Sequence, residues 1–183
     1  MSNQLRIGRL LAVPALDRPD LLAPSVAAFL ASWPRSGDVG VAEIDAELAD
    51  TAAFCAAYDV ALGASANCVV VAGRRGDVTT MAACMVLATT RADVNGVVRR
   101  RLDARKASFA PMDAAVADTR MEYGGITPIG LPTGWPILVD AAVVNAGDVV
   151  IGSGVRRSKL VLPADALAEL PGAEVIDGLA SPG

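Results

Sequence analysis

The sequence predicts an α+β domain with a mixed, strongly curved β-sheet and helices around it, and three observations carry this expectation. Short β-type runs and helical runs alternate at irregular spacing, without a strict strand–helix–strand rhythm. Short strands dominate the second half of the chain. Apolar residues make up 53% of the 183 positions, yet only two Trp, two Tyr and three Phe occur, so the core must be assembled from Ala, Val and Leu. That length suits one domain, and that apolar content excludes intrinsic disorder.

Taken in order, Leu21 to Trp33 carries apolar residues at helical spacing, with Pro24 in the first turn and Pro34 with Gly37 to end it. This helix belongs to an N-terminal extension, residues 1–36, expected to pack on the domain formed by residues 37–183. Val39 to Ile44 alternates as a strand. Asp50 or Thr51 then caps an Ala-rich helix expected to run to Leu62 and close at Gly63. Cys68 to Ala72 and Thr79 to Thr89 read as a hairpin turned through Gly73 to Asp77. Asp93 caps a helix with Val94, Val97, Val98 and Leu102 on one face and Arg99, Arg100 and Arg101 mostly on the other. Ala107 to Ala110 reads as a short strand, and Pro111 opens a helix to about Thr119. From Gly124 to Pro132 five of nine residues are Gly or Pro, which excludes regular structure. Ile137 to Val139, Val149 to Ile151 and Lys159 to Leu162 read as strands, Gly152-Ser153-Gly154 as a tight turn, and Pro163 to Leu170 as a helix with proline at N1. The central strands are expected to be Cys68–Ala72, Thr79–Leu87, Ile137–Val139 and Val149–Ile151. Met1 to Gln4 and Ser181 to Gly183 are expected to be mobile.

Composition narrows the chemistry. Histidine is absent, which removes Ser-His-Asp and Cys-His mechanisms, histidine general bases and most zinc sites. Cys55, Cys68 and Cys84 are odd in number and lie in apolar surroundings, so they are read as buried structural residues, with no metal site and no cofactor expected. No apolar run is long enough to span a bilayer and no signal-peptide pattern opens the chain, which predicts a soluble cytoplasmic protein. The net charge of −4 is not that of a protein that grips nucleic acid by bulk charge, but its distribution is uneven. Asp38 to Asp59 holds six acids and no base, whereas Arg91 to Lys106 holds six bases and two acids, and Arg156, Arg157 and Lys159 form a second basic cluster. A local basic surface on an acidic molecule is therefore expected.

Gly124-Gly125 lacks both the Lys-Ser/Thr of a P-loop and the G-x-G-x-x-G order of a dinucleotide fold. What Gly124-x-x-x-Pro128 offers is a backbone that a ligand can approach closely, with proline fixing one end. Such a loop binds a carboxyl, carbonyl or amino group through the main chain. At this loop the sequence resembles a known family. Asp103-Ala-Arg-Lys-Ala-Ser-Phe-Ala110, Thr119, Gly124-Gly-Ile-Thr-Pro-Ile-Gly130, Pro136-Ile-Leu-Val-Asp140, Val149-Val-Ile-Gly-Ser-Gly154 with Arg156, and Lys159-Leu-Val-Leu-Pro-Ala-Asp-Ala-Leu167 look like the YbaK/EbsC family, free-standing relatives of the bacterial prolyl-tRNA synthetase editing domain. The resemblance extends from about Val39 to Asp177.

The resemblance implies a curved, barrel-like mixed sheet with helices around it, and a cleft that accepts the aminoacylated 3′ end of a mischarged tRNA. It implies hydrolysis of the aminoacyl ester in trans, with a ribose hydroxyl of the substrate helping to activate water, and it allows an aminoacyl-tRNA synthetase as a further partner. On this reading Asn67, in the slot where relatives carry a lysine, and Gly124 are the catalytic candidates. Gly124, Gly125, Ile126, Thr127, Pro128, Gly152, Ser153 and Gly154 bind the aminoacyl moiety, and backbone N–H groups near Gly124 and Gly152 stabilise the oxyanion. Arg99, Arg100, Arg101, Arg156 and Lys159 contact tRNA, with Lys159 expected to face solvent. Two other classes fit the residues: a silent binding module for an aminoacyl-type ligand, and a regulatory protein whose acidic helix Asp45–Asp59 is the contact surface.

Overall fold

The structure is a computed structural model that describes residues 5–183; the expectation for Met1 to Gln4 lies outside the described residues. Three two-residue strands, β1 (Arg6–Ile7), β2 (Leu10–Leu11) and β3 (Val13–Pro14), lead to α1 (Pro24–Leu30), which starts at its proline and buries Val26 and Leu30. β4 (Gly40–Glu43) precedes α2 (Thr51–Tyr58). Helix α2 is shorter than expected. It stops at Asp59, which adopts a left-handed conformation (φ 55°), four residues before Gly63.

β5 (Ala66–Arg75) and β6 (Val78–Leu87) form the expected hairpin, with Arg75 opposite Val78 and only Gly76-Asp77 between them. β7 (Thr90–Ala92) follows. The Asp93 carboxylate accepts from the Gly96 and Val97 N–H groups and caps a wide helical turn, Val94–Val98, that runs into α3 (Arg99–Arg101). Then come β8 (Lys106–Phe109), α4 (Met112–Thr119), β9 (Ile137–Asp140), α5 (Ala141–Val144), β10 (Asp148–Gly152), β11 (Ser158–Pro163), β12 (Ala173–Ile176) and β13 (Ala180–Pro182). The segment after Pro163 is a tight 3₁₀ turn, Ala164–Glu169, rather than an α-helix. The expected mobile tail is instead a strand, with Ala180, Ser181 and Pro182 opposite Ala92, Arg91 and Thr90.

The α+β class holds, but among the described residues the strands do not close into one barrel. A mixed five-stranded sheet runs β12-β9-β6-β5-β8, and an antiparallel four-stranded sheet runs β10-β11-β4-β3. Val149–Ile151 therefore does not share a sheet with the other expected central strands. Among the described residues one isolated parallel bridge, Ser65 to Val150, links the edges of the two sheets. A core of Leu, Ile, Val and Ala, including Leu30, Met85, Val139, Ile151 and Leu162, fills the space between them and α1.

Candidate functional site

The site follows from how far each strand is paired. β5 is ten residues long, but β8 covers only Val71 to Arg74 of its free edge. The rest of that edge has no strand partner, and β10 is itself an edge strand of the second sheet. The two edges meet at Ser65 and Val150 and pair no further. A cleft of about 410 Å³ lies between them, lined by Ala66 to Val70 of β5, by Val150, Ile151 and Gly152 of β10, and by Gly124 and Ile126 of the glycine loop. Its floor is made of small apolar side chains.

Two polar side chains reach it from different strands. Asn67 accepts a hydrogen bond from Thr51 Oγ1 at 2.8 Å, so its carbonyl oxygen is held by the first residue of α2 and its NH₂ is the end left to a ligand. Lys159 is the correction. It was expected in solvent, yet it is 8% exposed and lines the cleft. Its Nζ donates to the Ala49 carbonyl at 2.9 Å and sits 5.2 Å from the centre of the Phe54 ring. Its partners across the ladder are Gly152 and Ala42. Burial pushes the Lys159 pKa down, and the charge of Arg156 adds to this, while Cys55 and Asp50 oppose it. The third candidate chemistry, a thiolate, is disfavoured at the cleft: burial pushes the Cys68 thiol well above its ordinary value.

The glycine loop packs backbone to backbone on the turn after β10. The Gly154 N–H donates to the Gly125 carbonyl at 2.7 Å and the Glu122 N–H to the Gly154 carbonyl at 2.9 Å. A Cβ on Gly125 would stand 2.7 Å from the Val155 backbone, and one on Gly152 would stand 2.5 Å from the Gly125 oxygen. These two glycines are close-approach residues. Gly124 differs: its φ is +85°, it is exposed at the cleft, and the nearest atom to an added Cβ is Arg156 Nη1 at 2.3 Å.

Of the sequence candidates, the structure thus brings Asn67, Gly124, Ile126, Gly152 and Lys159 together. Gly125, Thr127, Ser153 and Gly154 are buried beside the cleft rather than lining it, and Ser153 bonds to Ser158 Oγ at 2.7 Å. Pro128 lines a separate cavity. Arg156 directs its guanidinium to Asp50 Oδ1 (3.4 Å), the Tyr123 carbonyl (3.3 Å) and the Ala46 carbonyl (3.2 Å), so it braces the loop against the start of α2. Asp50 of the acidic segment is therefore part of the cleft rim. Arg99 and Arg100 lie on the separate α3 surface with Arg101, which pairs with Glu174. Sequence reasoning missed Thr51 as the partner of Asn67 and the apolar rim, where Phe109, Met112 and Tyr123 are 65%, 56% and 58% exposed. Large exposed apolar side chains at a cleft mouth mark a place where something docks.

Three solved structures share the fold. A proposed trans-editing enzyme for prolyl tRNA synthetase is 22% identical, with TM-score 0.73 over 88% of this chain and 97% of that one. A scaffold protein used in epitope backbone grafting is 24% identical, with TM-score 0.73 over 88% of this chain and 100% of that one. A hypothetical protein is 18% identical, with TM-score 0.68 over 77% and 90%. No curated protein matches the sequence. No helix among the described residues is long and apolar enough to cross a membrane. Residues 45–170 match the aminoacyl-tRNA editing domain, a span that holds both edges of the cleft, the glycine loop and Lys159, and the chain therefore belongs to the aminoacyl-tRNA editing domain family.

Proposed function

We propose that this chain hydrolyses the ester of a mischarged aminoacyl-tRNA in trans, with residues 37–183 as the editing domain and 1–36 as an extension of it. The observation that carries the reading is the convergence of Asn67, Gly124 and Lys159 on one small cleft floored by Ala, Val and Ile. Such a floor suits a small aminoacyl side chain and crowds a large one.

The chemistry needs no histidine. The ester carbonyl lies toward the Lys159 ammonium, which spends one donor on Ala49 and keeps two for a ligand. Water attacks the carbonyl carbon, the negative charge that develops on its oxygen is stabilised by Lys159 and by backbone N–H at Gly124, and the ribose oxygen leaves. One well-aimed donor of this kind is worth roughly 3 kcal/mol of barrier. The neighbouring ribose hydroxyl orients the water and relays its proton, and the Asn67 NH₂ holds that hydroxyl. The Lys159 position supports this reading over the binding-module alternative, since a cation that Asn67 cannot supply reaches the cleft from β11.

Single-turnover deacylation of a panel of misacylated tRNAs tests the proposal. Release of a small amino acid well above the uncatalysed rate is expected, with a large drop when the terminal ribose lacks its free hydroxyl. Release from none of them overturns it.

A further inference from the structure

A second groove, distinct from the cleft, lies further along the same two strands. Ala66 to Val70 of β5, with Phe109 and Ala110 at the end of β8, line the cleft, whereas Ala72, Arg74, Lys106 and Ser108 line a cavity of about 510 Å³. From Phe109 back to Lys106 is about 10 Å of strand. Arg99 and Arg105 complete the groove, so four of its lining side chains are cationic and none is acidic. Among the described residues, Arg75 and Arg101 nearby are paired with Asp103 and Glu174, but none of these four has a carboxylate within salt-bridge reach. On a chain of net charge −4, four unneutralised cations in one groove are a local concentration of positive potential.

We propose that Arg74, Arg99, Arg105 and Lys106 form a track for the phosphates of a single-stranded RNA 3′ end whose terminal residue enters the cleft, with Phe109, exposed at the cleft, as a plate for a base. The inference rests on the deacylase reading for the direction of the strand, and it replaces Arg156 and Lys159 as RNA contacts, since both are engaged at the cleft. Cations that track the backbone and an aromatic on which a base stacks are the two elements by which single strands are held.

The test is a fluorescence-anisotropy titration of a short labelled RNA ending in CCA, over a salt series, which needs no hydrolysis. Wild type binds with a log–log salt slope near −2, as about three neutralised phosphates require. The variant R74Q/R105Q/K106Q binds at least tenfold more weakly with most of that slope lost. The control R6Q/R9Q/R120Q removes the same charge elsewhere and binds as wild type. Wild-type affinity and slope in the groove variant, equal weakening in the control, or no RNA binding by wild type overturns the track. In parallel, hydrolysis of a 3′-aminoacyl adenosine, which has no phosphate, is unchanged in the groove variant. RNA binding without ester hydrolysis by wild type keeps the track and overturns the deacylase, so the two proposals fail separately.

Discussion

The Gly124–Gly130 loop has a cavity at each end. Gly124 and Ile126 line the cleft beside Asn67, and Pro128 and Gly130 line a second cavity of about 560 Å³ with Phe29, Leu131 and Trp135. The two are of comparable size, yet the lining of the second holds no charged side chain. The difference teaches that size alone does not mark a site: the cleft has convergent polar groups from α2, β5 and β11, whereas the other cavity is lined by glycines, prolines and apolar side chains, with Thr133 its one polar side chain.

Lys159→Met offers the strongest way to break this comparison. Deacylation falls about a hundredfold while the melting temperature changes by a few degrees; a variant as fast as wild type would make the cleft no more of a site than the second cavity. Its pH dependence sharpens the point. Burial lowers the Lys159 pKa from 10.5 in the folded chain. Between the lowered value and 10.5 the folded lysine is already neutral while the unfolded one still binds a proton, so its contribution to stability rises with pH. The rate it supports falls across the same window. Wild-type minus Lys159→Met differences in rate and in stability, measured against pH, therefore slope in opposite directions.

The paired glycines separate chemistry from packing next. Gly124→Ala places a side chain at φ +85° against a movable guanidinium, so activity drops about tenfold with modest destabilisation. Gly125→Ala meets the Val155 backbone and costs about 1–3 kcal/mol of stability, read by denaturant unfolding. Equal stability losses in the two would reduce Gly124 to an ordinary turn residue. Asn67→Ala slows single-turnover deacylation about tenfold, which corresponds to about 1.4 kcal/mol. An unchanged rate and affinity would falsify its role and leave Asn67 as a partner of Thr51 alone. Smallest in activity is Leu131→Ala in the second cavity: stability falls, and the rate stays within twofold of wild type. A comparable rate loss there would mean that the two cavities work together.

Much of this was legible in particular residues. Asp93 as a cap, a hairpin turned within Gly73 to Asp77 and the irregular Gly124–Pro132 segment depend on local backbone chemistry, and the structure has all three, with the turn itself narrowed to Gly76-Asp77. The end of α2 was not legible, because Asp59 terminates it in a left-handed conformation that most often marks glycine. The tail strand was missed for a similar reason: Ser181-Pro182 has little β propensity of its own and is held by β7, a partner remote in sequence. Lys159 did leave a signal, as a charge at the start of an otherwise apolar strand.

By itself the sequence determined the α+β class, the lack of any histidine-based mechanism and a backbone-lined glycine loop, because composition and turn chemistry act over a few residues. Tertiary structure alone decided where the charges went. β11 lies between β10 and β4 and is buried from Ser158 to Leu162, so alternation along it could not say which way Lys159 turned. That was settled by the Ala49 carbonyl and the Phe54 ring, contacts that bring together residues from distant parts of the chain.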